Sequence, residues 1–275
     1  MTNLEEQVAQ IKEQLEIYNQ NVENLKKENK DFYVIQKRNY EAFIMASQVN
    51  KELEKYRGIY EGRDVLIVGG GASLTHYKPL NNTINIGVNR AFKMNNIDFD
   101  YLFAQDKFPD QDDVEDFIVY KEDTCKKFYG IITAPFGNDF TVRQDTIART
   151  KNKQLYVLDA VRMGKCPQNI TLEPFADLCG TVFSALQFAL LTNPKRIILA
   201  GFDCNATHLF DKSGYSLSYQ YPSWEKIRGF TKKFYEHIEI VSLNPVGLKG
   251  LFKDIYTKSF VEANSELKSE ELEIY

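Results

Sequence analysis

The chain has 275 residues, of which 43% are hydrophobic and 26% are charged, and this is the composition of a globular protein that can bury a sizeable core. Its net charge of -4 provides no surplus of basic surface, which disfavours nucleic acid as a partner. We therefore expect one domain of catalytic size with an appendage.

Neither the start of the chain nor its cysteines indicate export. The sequence begins with MTNLEEQVAQIKEQ, which is acidic and periodic and lacks the basic start and apolar run of a signal peptide. No run of 18 apolar residues could cross a bilayer. The four cysteines form no C-x-x-C pair and have no histidine at zinc-ligand spacing, so we expect reduced thiols in a cytoplasmic protein.

Residues 1–57 predict one long helix, because they contain neither proline nor glycine. Its apolar stripe starts at Leu4, Val8, Ile11, Leu15, Tyr18, Val22 and Leu25 and continues through Asn29 and Phe32. Alternating steps of four and three are a heptad repeat, typical of a coiled coil, in which a buried amide such as Asn29 fixes the register. The repeat favours a homo-oligomer held by this helix. The alternative is a helix that packs back on its own domain.

Residues 58–260 predict a different architecture, in which short apolar runs alternate with polar helical stretches. Strands are expected at 64–68, 83–88, 101–104, 128–133, 155–158, 196–200 and 238–243, and helices near 73–79, 89–96, 110–121, 180–192, 223–237 and 246–258. This alternation predicts an α/β fold with a mostly parallel, Rossmann-like sheet covered by helices on both faces. Residues 261–275 predict a loose acidic tail.

Ligands of such sheets bind at the carboxyl ends of the strands, so the residues that follow the predicted strands are candidate site residues. They are Gly69, Gly70, Gly71, Ser73, Asn89, Gln105, Asp106, Asp159, Gly201 and Asp203. The first group lies in VLIVGGGASL, in which a strand enters a glycine turn and Ser73 begins a helix. Bare backbone amides at such a turn favour an anionic group. A tight structural turn capped by Ser73 explains the same pattern.

Two common nucleotide motifs do not fit this glycine turn. A dinucleotide fingerprint needs a third glycine at the position of Leu74 and an acidic residue at the end of the next strand, where the chain has Val88 and Asn89. The P-loop pattern G-x-x-x-x-G-K-[ST] occurs nowhere in the sequence. An ordinary NAD-binding site and an ordinary P-loop kinase are therefore disfavoured.

Four segments resemble, in the same order, segments of a known protein group. They are YRGIYEGRDVLIVGGGASL, IGVNRAF, LCGTVFSALQFALLTNPKRIILAGFDCN and SLNPVGLKGLFKDI. The group has a G-x-G-P-S-L turn after its first strand and includes the family 42 sialyltransferases and the MptE-like proteins, named for an archaeal 6-hydroxymethylpterin diphosphokinase. Ala72 stands where the group has proline. The resemblance covers roughly residues 58 to 258.

The resemblance implies an α/β domain, here residues 58–260, that binds a nucleotide-activated donor under a lid, here residues 204–222. Beyond the glycine turn, the implied donor-binding residues are Asn89, Gln105, Cys179, Gly180, Thr181, Gly201, Asp203, Tyr215, Tyr219 and Tyr221. The sialyltransferases invert at the anomeric carbon without a metal. No metal or cofactor is therefore expected apart from the nucleotide sugar.

The catalytic base departs from the pattern of the sialyltransferases. They carry a histidine late in the lid, whereas the corresponding stretch here, SYQYPSWEK, has none. His208, early in the lid, is one candidate for the group that accepts the proton of the acceptor hydroxyl. Asp106, at the end of the third predicted strand, is the rival.

Three functions remain open on these grounds. The first is a glycosyltransferase that extends a bacterial surface glycan from a nucleotide sugar, which is expected to be CMP-linked and of the sialic-acid type. Its partners would be the donor and a glycan acceptor, and a lipid-linked acceptor would bring it to a membrane surface. The second is an MptE-like diphosphokinase that uses ATP and Mg²⁺ held by carboxylates such as Asp106, Asp203 or Asp211. The third is a non-catalytic nucleotide-binding scaffold.

Overall fold

The computed structural model describes residues 2–105, 111–134, 137–140, 142–159, 164–205, 208–210, 217–268 and 272–274. Side chains are described from residue 16 onward, apart from Tyr18 and residues 133–140. The structure has the predicted α/β, Rossmann-like arrangement, preceded by a long helix.

One sheet of nine strands organises the described part of the chain. The strands are β1 Asp64–Val68, β2 Thr83–Val88, β3 Tyr101–Ala104, β4 Lys126–Ala134, β5 Gly137–Phe140, β6 Lys153–Leu158, β7 Arg196–Ala200, β8 Glu239–Leu243 and β9 Lys253–Ile255. Eight of them run parallel in the order β6-β4-β3-β2-β1-β7-β8-β9. The hairpin strand β5 is antiparallel to β4. It pairs with the last residues of β4 on the same side as β3, beyond the point where the β3 pairing ends.

Six α-helices flank or precede the sheet in the described residues. They are α1 Thr2–Val49, α2 Gln111–Val119, α3 Gln144–Arg149, α4 Thr181–Leu191, α5 Tyr221–Phe234 and α6 Lys258–Ala263. Short 3-10 helices cover Asn50–Tyr56, Ala72–His76, Asn89–Lys93 and Ser218–Gln220. The turns after β1 and β2 are therefore single 3-10 turns, shorter than the helices predicted near 73–79 and 89–96.

Two hydrophobic cores lie on opposite faces of the sheet, as a parallel sheet requires. Val65 and Ile67 of β1 belong to the core that α4 and α5 cover, whereas Leu66 and Val68 belong to the core under α2 and α3. Successive strand side chains point to opposite faces, so an uninterrupted apolar run such as VLIV fills both cores. The prediction of helices on both faces is confirmed.

One predicted element is wrong, and four of the described strands and α-helices, β5, β9, α3 and α6, were not predicted. The helix expected near 246–258 is a set of turns followed by β9, because Gly250 takes a φ of +74° and ends any helical path. Gly247 donates its amide to the backbone oxygen of Asp203, 2.9 Å away, which holds this turn against the β7 end. The hairpin strand β5 and the short helices α3 and α6 have no clear periodicity in the sequence.

The carboxyl end of α1 is docked on the domain. Ala42 and Ala46 are fully buried and pack against Val157 of the edge strand β6. Asn50, also fully buried, donates to the carbonyl of Glu173 at 3.0 Å and accepts from the amide of Val157 at 2.8 Å. The end of the helix therefore shields the outermost strand. Within the described ranges, no helix is long and apolar enough to cross a membrane.

Candidate functional site

The candidate site lies where the strand order of the sheet reverses. The chain runs from β1 to β2 on one side and returns as β7 on the other, so the loops diverge at the carboxyl ends of β1 and β7. Ligands of such sheets bind at this place, which we call the crevice. Two hydrogen bonds extend the pairing past the strand ends, from the Gly69 amide to the Ala200 carbonyl at 2.8 Å and from the Gly71 amide to the Gly201 carbonyl at 2.7 Å. The glycine turn is therefore anchored directly to the turn after β7.

A buried carboxylate occupies the end of the glycine turn. The amide of Ser73 donates to one oxygen of Asp203 at 2.7 Å, and the Ser73 hydroxyl donates to the other. Both residues are buried, with exposed fractions of 5% for Ser73 and 4% for Asp203. The sequence predicted that the Ser73 amide donates to the anionic group of a ligand. In this structure it donates instead to a carboxylate of the protein itself.

Asp203 is held in an environment that opposes its charge. Burial raises the pKa of its carboxyl above the ordinary value, and the two hydrogen bonds from Ser73 counteract only part of this rise. A carboxyl with a raised pKa at the end of a strand is a common feature of functional sites.

Two glycines of the turn are required by close approach. A Cβ on Gly71 would lie 2.5 Å from Cγ of Asp203, and a Cβ on Gly70 would overlap the imidazole of His208. The missing side chains therefore make room for one carboxylate and one imidazole of the protein itself.

His208 is attached to the glycine turn by its backbone as well. It forms an antiparallel bridge with Gly71, and the amide of the next residue, Leu209, donates to the Gly70 carbonyl at 2.7 Å. The imidazole Nδ1 accepts from the amide of Phe210 at 3.2 Å. The structure thus brings an early lid residue, predicted from the sequence as a catalytic candidate, onto the predicted nucleotide turn.

A second polar cluster joins the ends of β2 and β3 to the start of α4. The Asn89 side-chain oxygen accepts from the Thr181 hydroxyl at 3.2 Å and from the backbone amide of Gln105 at 3.4 Å. The Gln105 side-chain oxygen accepts from the Ser184 hydroxyl, also at 3.4 Å. Asn89 has a φ of +50°, which turns the chain sharply at the end of β2. Three predicted site residues from distant segments therefore meet here.

Gln220 completes the loop before α4, and the sequence analysis missed it. Its side-chain nitrogen donates to the Cys179 carbonyl at 2.9 Å, and a Cβ on Gly180 would lie 2.7 Å from that nitrogen. Gln220 is buried, whereas its neighbours Tyr219 and Tyr221 are exposed. The signal in the sequence was its position just before α5, whose start is marked by Pro222.

The predicted site residues do not all reach the crevice or lie in the described part of the chain. Asp106, Asp211 and Tyr215 fall outside the described residues. Tyr219 lies in the Ser218–Gln220 turn and Tyr221 begins α5. Their roles stay predictions.

The carboxylates and thiols of the described region give little support for a metal site or for a cysteine nucleophile. No group of three His, Cys, Asp or Glu side chains in that region has the arrangement of a metal site. Asp159, after β6, donates its amide to the Phe175 carbonyl at 2.7 Å. Burial raises the pKa of the Cys204 thiol to about 11, so this thiol is protonated at neutral pH and is a poor nucleophile.

A separate surface groove of about 670 Å³ lies between α5 and the β8–β9 region. Its lining includes Arg228, Lys232, Tyr235 and Lys253 and none of the predicted site residues. Lys253 is already paired with Glu239 and Glu273, each at 3.0 Å. The groove lacks the convergent buried polar groups of the crevice, so we assign the candidate site to the crevice.

The chain matches no protein-family model, and no curated protein matches its sequence.

Proposed function

We propose that the protein is a glycosyltransferase that binds a nucleotide-activated sugar in the crevice between the ends of β1 and β7. The donor is expected to be CMP-linked and of the sialic-acid type, and the acceptor a bacterial surface glycan. The proposal combines the sequence resemblance with the crevice geometry.

One observation carries the proposal, namely the contact between the lid residue His208 and the glycine turn at Gly70. In the proposed reaction His208 lies beside the phosphate of the donor, and glycine at position 70 lets the imidazole approach the turn. Residues 130 or more positions apart along the chain meet there. A purely structural turn needs no imidazole above it.

The geometry favours a particular role for His208. Because Nδ1 accepts from the Phe210 amide, the proton of the neutral ring resides on Nε2, the atom that faces Gly70. Nε2–H would then donate to the phosphate of the donor and stabilise the charge that develops on the leaving nucleotide. In this arrangement His208 serves the leaving group, and Asp106 is the remaining candidate for the base.

Backbone donors complete the proposed phosphate position. Within the described residues, the amides of Gly70 and Ala72 have no protein acceptor, whereas those of Gly69, Gly71 and Ser73 do. The phosphate would therefore be held by Gly70, Ala72 and His208, and Ser73 would position Asp203. Gly70 and Ala72 are half-buried, so a ligand or water can reach these two amides.

The test compares ligands that differ by one phosphate. Titration calorimetry would measure the affinities of cytidine and CMP, and thermal unfolding would compare CMP, CDP, UDP, GDP and ATP with and without Mg²⁺. A ligand at 100 times its Kd should add about 2.7 kcal/mol to the free energy of unfolding. We expect a metal-independent preference for cytidine nucleotides.

The variant His208→Ala should lower the affinity for CMP about tenfold or more, because one hydrogen bond to a charged phosphate is lost. The affinity for cytidine, which has no phosphate, should not change. The control is His237→Ala, because His237 bonds to Asn193 at 2.7 Å near the amino ends of β7 and β8. Equal losses for cytidine and CMP would contradict the role of His208. Preference for ATP with Mg²⁺ would favour the diphosphokinase, and no response to any nucleotide would overturn the proposal.

A further inference from the structure

Most of α1 extends away from the domain. The helix is 48 residues long, and its buried residues begin only at Ala42 in the region whose side chains are described. At 1.5 Å per residue, the forty residues before Ala42 span about 60 Å. A helix of this kind gains little from its own propensity and needs packing along one face to be stable.

The extended part exposes large apolar side chains along the heptad seam. Leu25 and Phe32 are 57% and 62% exposed. Exposed apolar groups in a regular row on one helix indicate an interaction surface. Further along the chain, Ala46 and Leu53 continue the same spacing, but both are fully buried in the domain. The seam therefore contacts the domain at its carboxyl end, whereas Leu25 and Phe32 are exposed.

The residues of the seam specify a second copy of the same helix. The seam positions that share a face with Asn29 are Val8, Leu15 and Val22, and the alternate positions are Leu4, Ile11, Tyr18, Leu25 and Phe32. Valine at the first kind of position with leucine at the second, as at Val22 and Leu25, favours two parallel strands, whereas leucine with isoleucine, as at Leu15 and Ile11, favours more than two. Asn29 is the residue among them that sets the register and the oligomeric state. Asn29 meets an identical amide, with which it can form a hydrogen bond, only when the two helices are parallel and in register.

The charges beside the seam are compatible with that pairing. In a parallel pair Gln7 would face Lys12 of the other copy, Asn21 would face Lys26, and Glu28 would face Tyr33. None of these pairs brings like charges together. Acidic side chains outnumber basic ones on α1, which disfavours an anionic membrane surface as the occupant.

We infer that α1 forms a parallel, in-register two-stranded coiled coil with α1 of a second copy. Because the carboxyl end of each helix is docked on its own β6 through Ala42 and Ala46, both α/β domains lie at the same end of the coil. This inference rests on α1 alone and is independent of the proposed function.

The first experiment measures the mass of the full chain by sedimentation equilibrium. The wild type should be a dimer, and Leu25→Glu should raise the dimer Kd at least about 100-fold, because two facing leucines are lost from the seam. The matched control is Ile17→Glu, since Ile17 is 56% exposed on the same helix but lies off the seam. A monomeric wild type, or equal effects of the two variants, would overturn the inference.

The second experiment tests the direction of the helices. Asn29→Cys should form an intermolecular disulfide under mild oxidation, because the two copies of this position face each other only in the parallel, in-register pair. The wild type, whose four native cysteines are buried or half-buried, is the control for other crosslinks. A dimer of Asn29→Cys that does not crosslink would exclude the parallel arrangement. Binding to anionic vesicles without dimerisation would replace the inference by a membrane contact.

Discussion

The crevice between β1 and β7 and the extended part of α1 depart in opposite ways from the usual distribution of residues. In the crevice polar groups are buried, as Ser73 and Asp203 illustrate, and each has a partner within the chain. On α1 apolar groups are exposed, as Leu25 and Phe32 illustrate, and the described part of the chain leaves their surfaces uncovered. Either departure costs free energy for an isolated domain.

The difference teaches which kind of ligand each region suits. Buried polar side chains that pair with one another, such as Ser73 and Asp203, hold the glycine turn rigid, and its unpaired amides suit a small polar ligand. A row of exposed apolar groups gains free energy only from a surface of similar shape. Substitutions in the crevice should therefore lower the stability of the domain, and those on α1 should change its assembly.

The largest effect is expected for Gly71→Ala. The added methyl would lie 2.5 Å from Cγ of Asp203, so the carboxylate would leave the Ser73 amide and remain buried. We expect the free energy of unfolding to fall by about 3 kcal/mol. Urea unfolding followed by the fluorescence of Trp224, the one tryptophan and fully buried, measures it.

The control for that substitution is Gly229→Ala. Gly229 lies in α5, where a Cβ would meet nothing within 4 Å. Because alanine has the higher helix propensity, the free energy of unfolding should rise by about 0.5–1 kcal/mol. If the two glycine variants lose stability equally, the close contact with Asp203 is not the cause.

Ser73→Ala should have the next largest effect. Removing the hydroxyl leaves one oxygen of the buried Asp203 without its donor and should lower the free energy of unfolding by about 2 kcal/mol. The same Trp224 signal checks it. Thr75→Ala is the matched control, because Thr75 is exposed in the same turn and its hydroxyl donates only to the nearby Ala72 carbonyl. A loss of equal size in the control would contradict the special role of Ser73.

A smaller effect is expected from pH. Because burial raises the pKa of Asp203 in the folded state, the folded protein binds more protons than the unfolded chain between the two pKa values. The contribution of this group is complete below the unfolded pKa of about 3.9 and is lost as the pH rises through the folded value. The difference in unfolding free energy between the wild type and Asp203→Asn should therefore change over this range. A constant difference would show that Asp203 has an ordinary pKa.

The smallest effect on domain stability is expected for Leu25→Glu. The substitution lies on the extended part of α1, so the Trp224 unfolding transition should shift by no more than about 0.5 kcal/mol while the dimer dissociates. A large shift would show that assembly and folding of the domain are coupled, and the contrast between the two regions would fail.

Local patterns were sufficient for seven of the nine described strands and for α1, but not for β5 and β9. The bounds of β1, β2, β3 and β7 agree with the predicted ones, because a strand buried on both faces must be apolar without interruption and must end at polar or glycine residues. The heptad stripe likewise predicted a long helix, since its period follows from helix geometry alone. The region after β8 was misjudged because Leu248, Leu251 and Ile255 have helical spacing, whereas the glycines at 247 and 250 form turns.

The sequence by itself determined seven of the nine described strands, the helices α1, α2, α4 and α5, and that a glycine turn follows the first strand. Only the tertiary structure decided that Asp203 takes the Ser73 amide, that His208 covers Gly70 and that Gln220 supports the Cys179 loop. These contacts join residues that are far apart in the chain and depend on β7 lying beside β1. The apolar pattern of a strand predicts that the strand is buried but not which strand lies next to it in the sheet. Any buried strand offers the same backbone donors and acceptors.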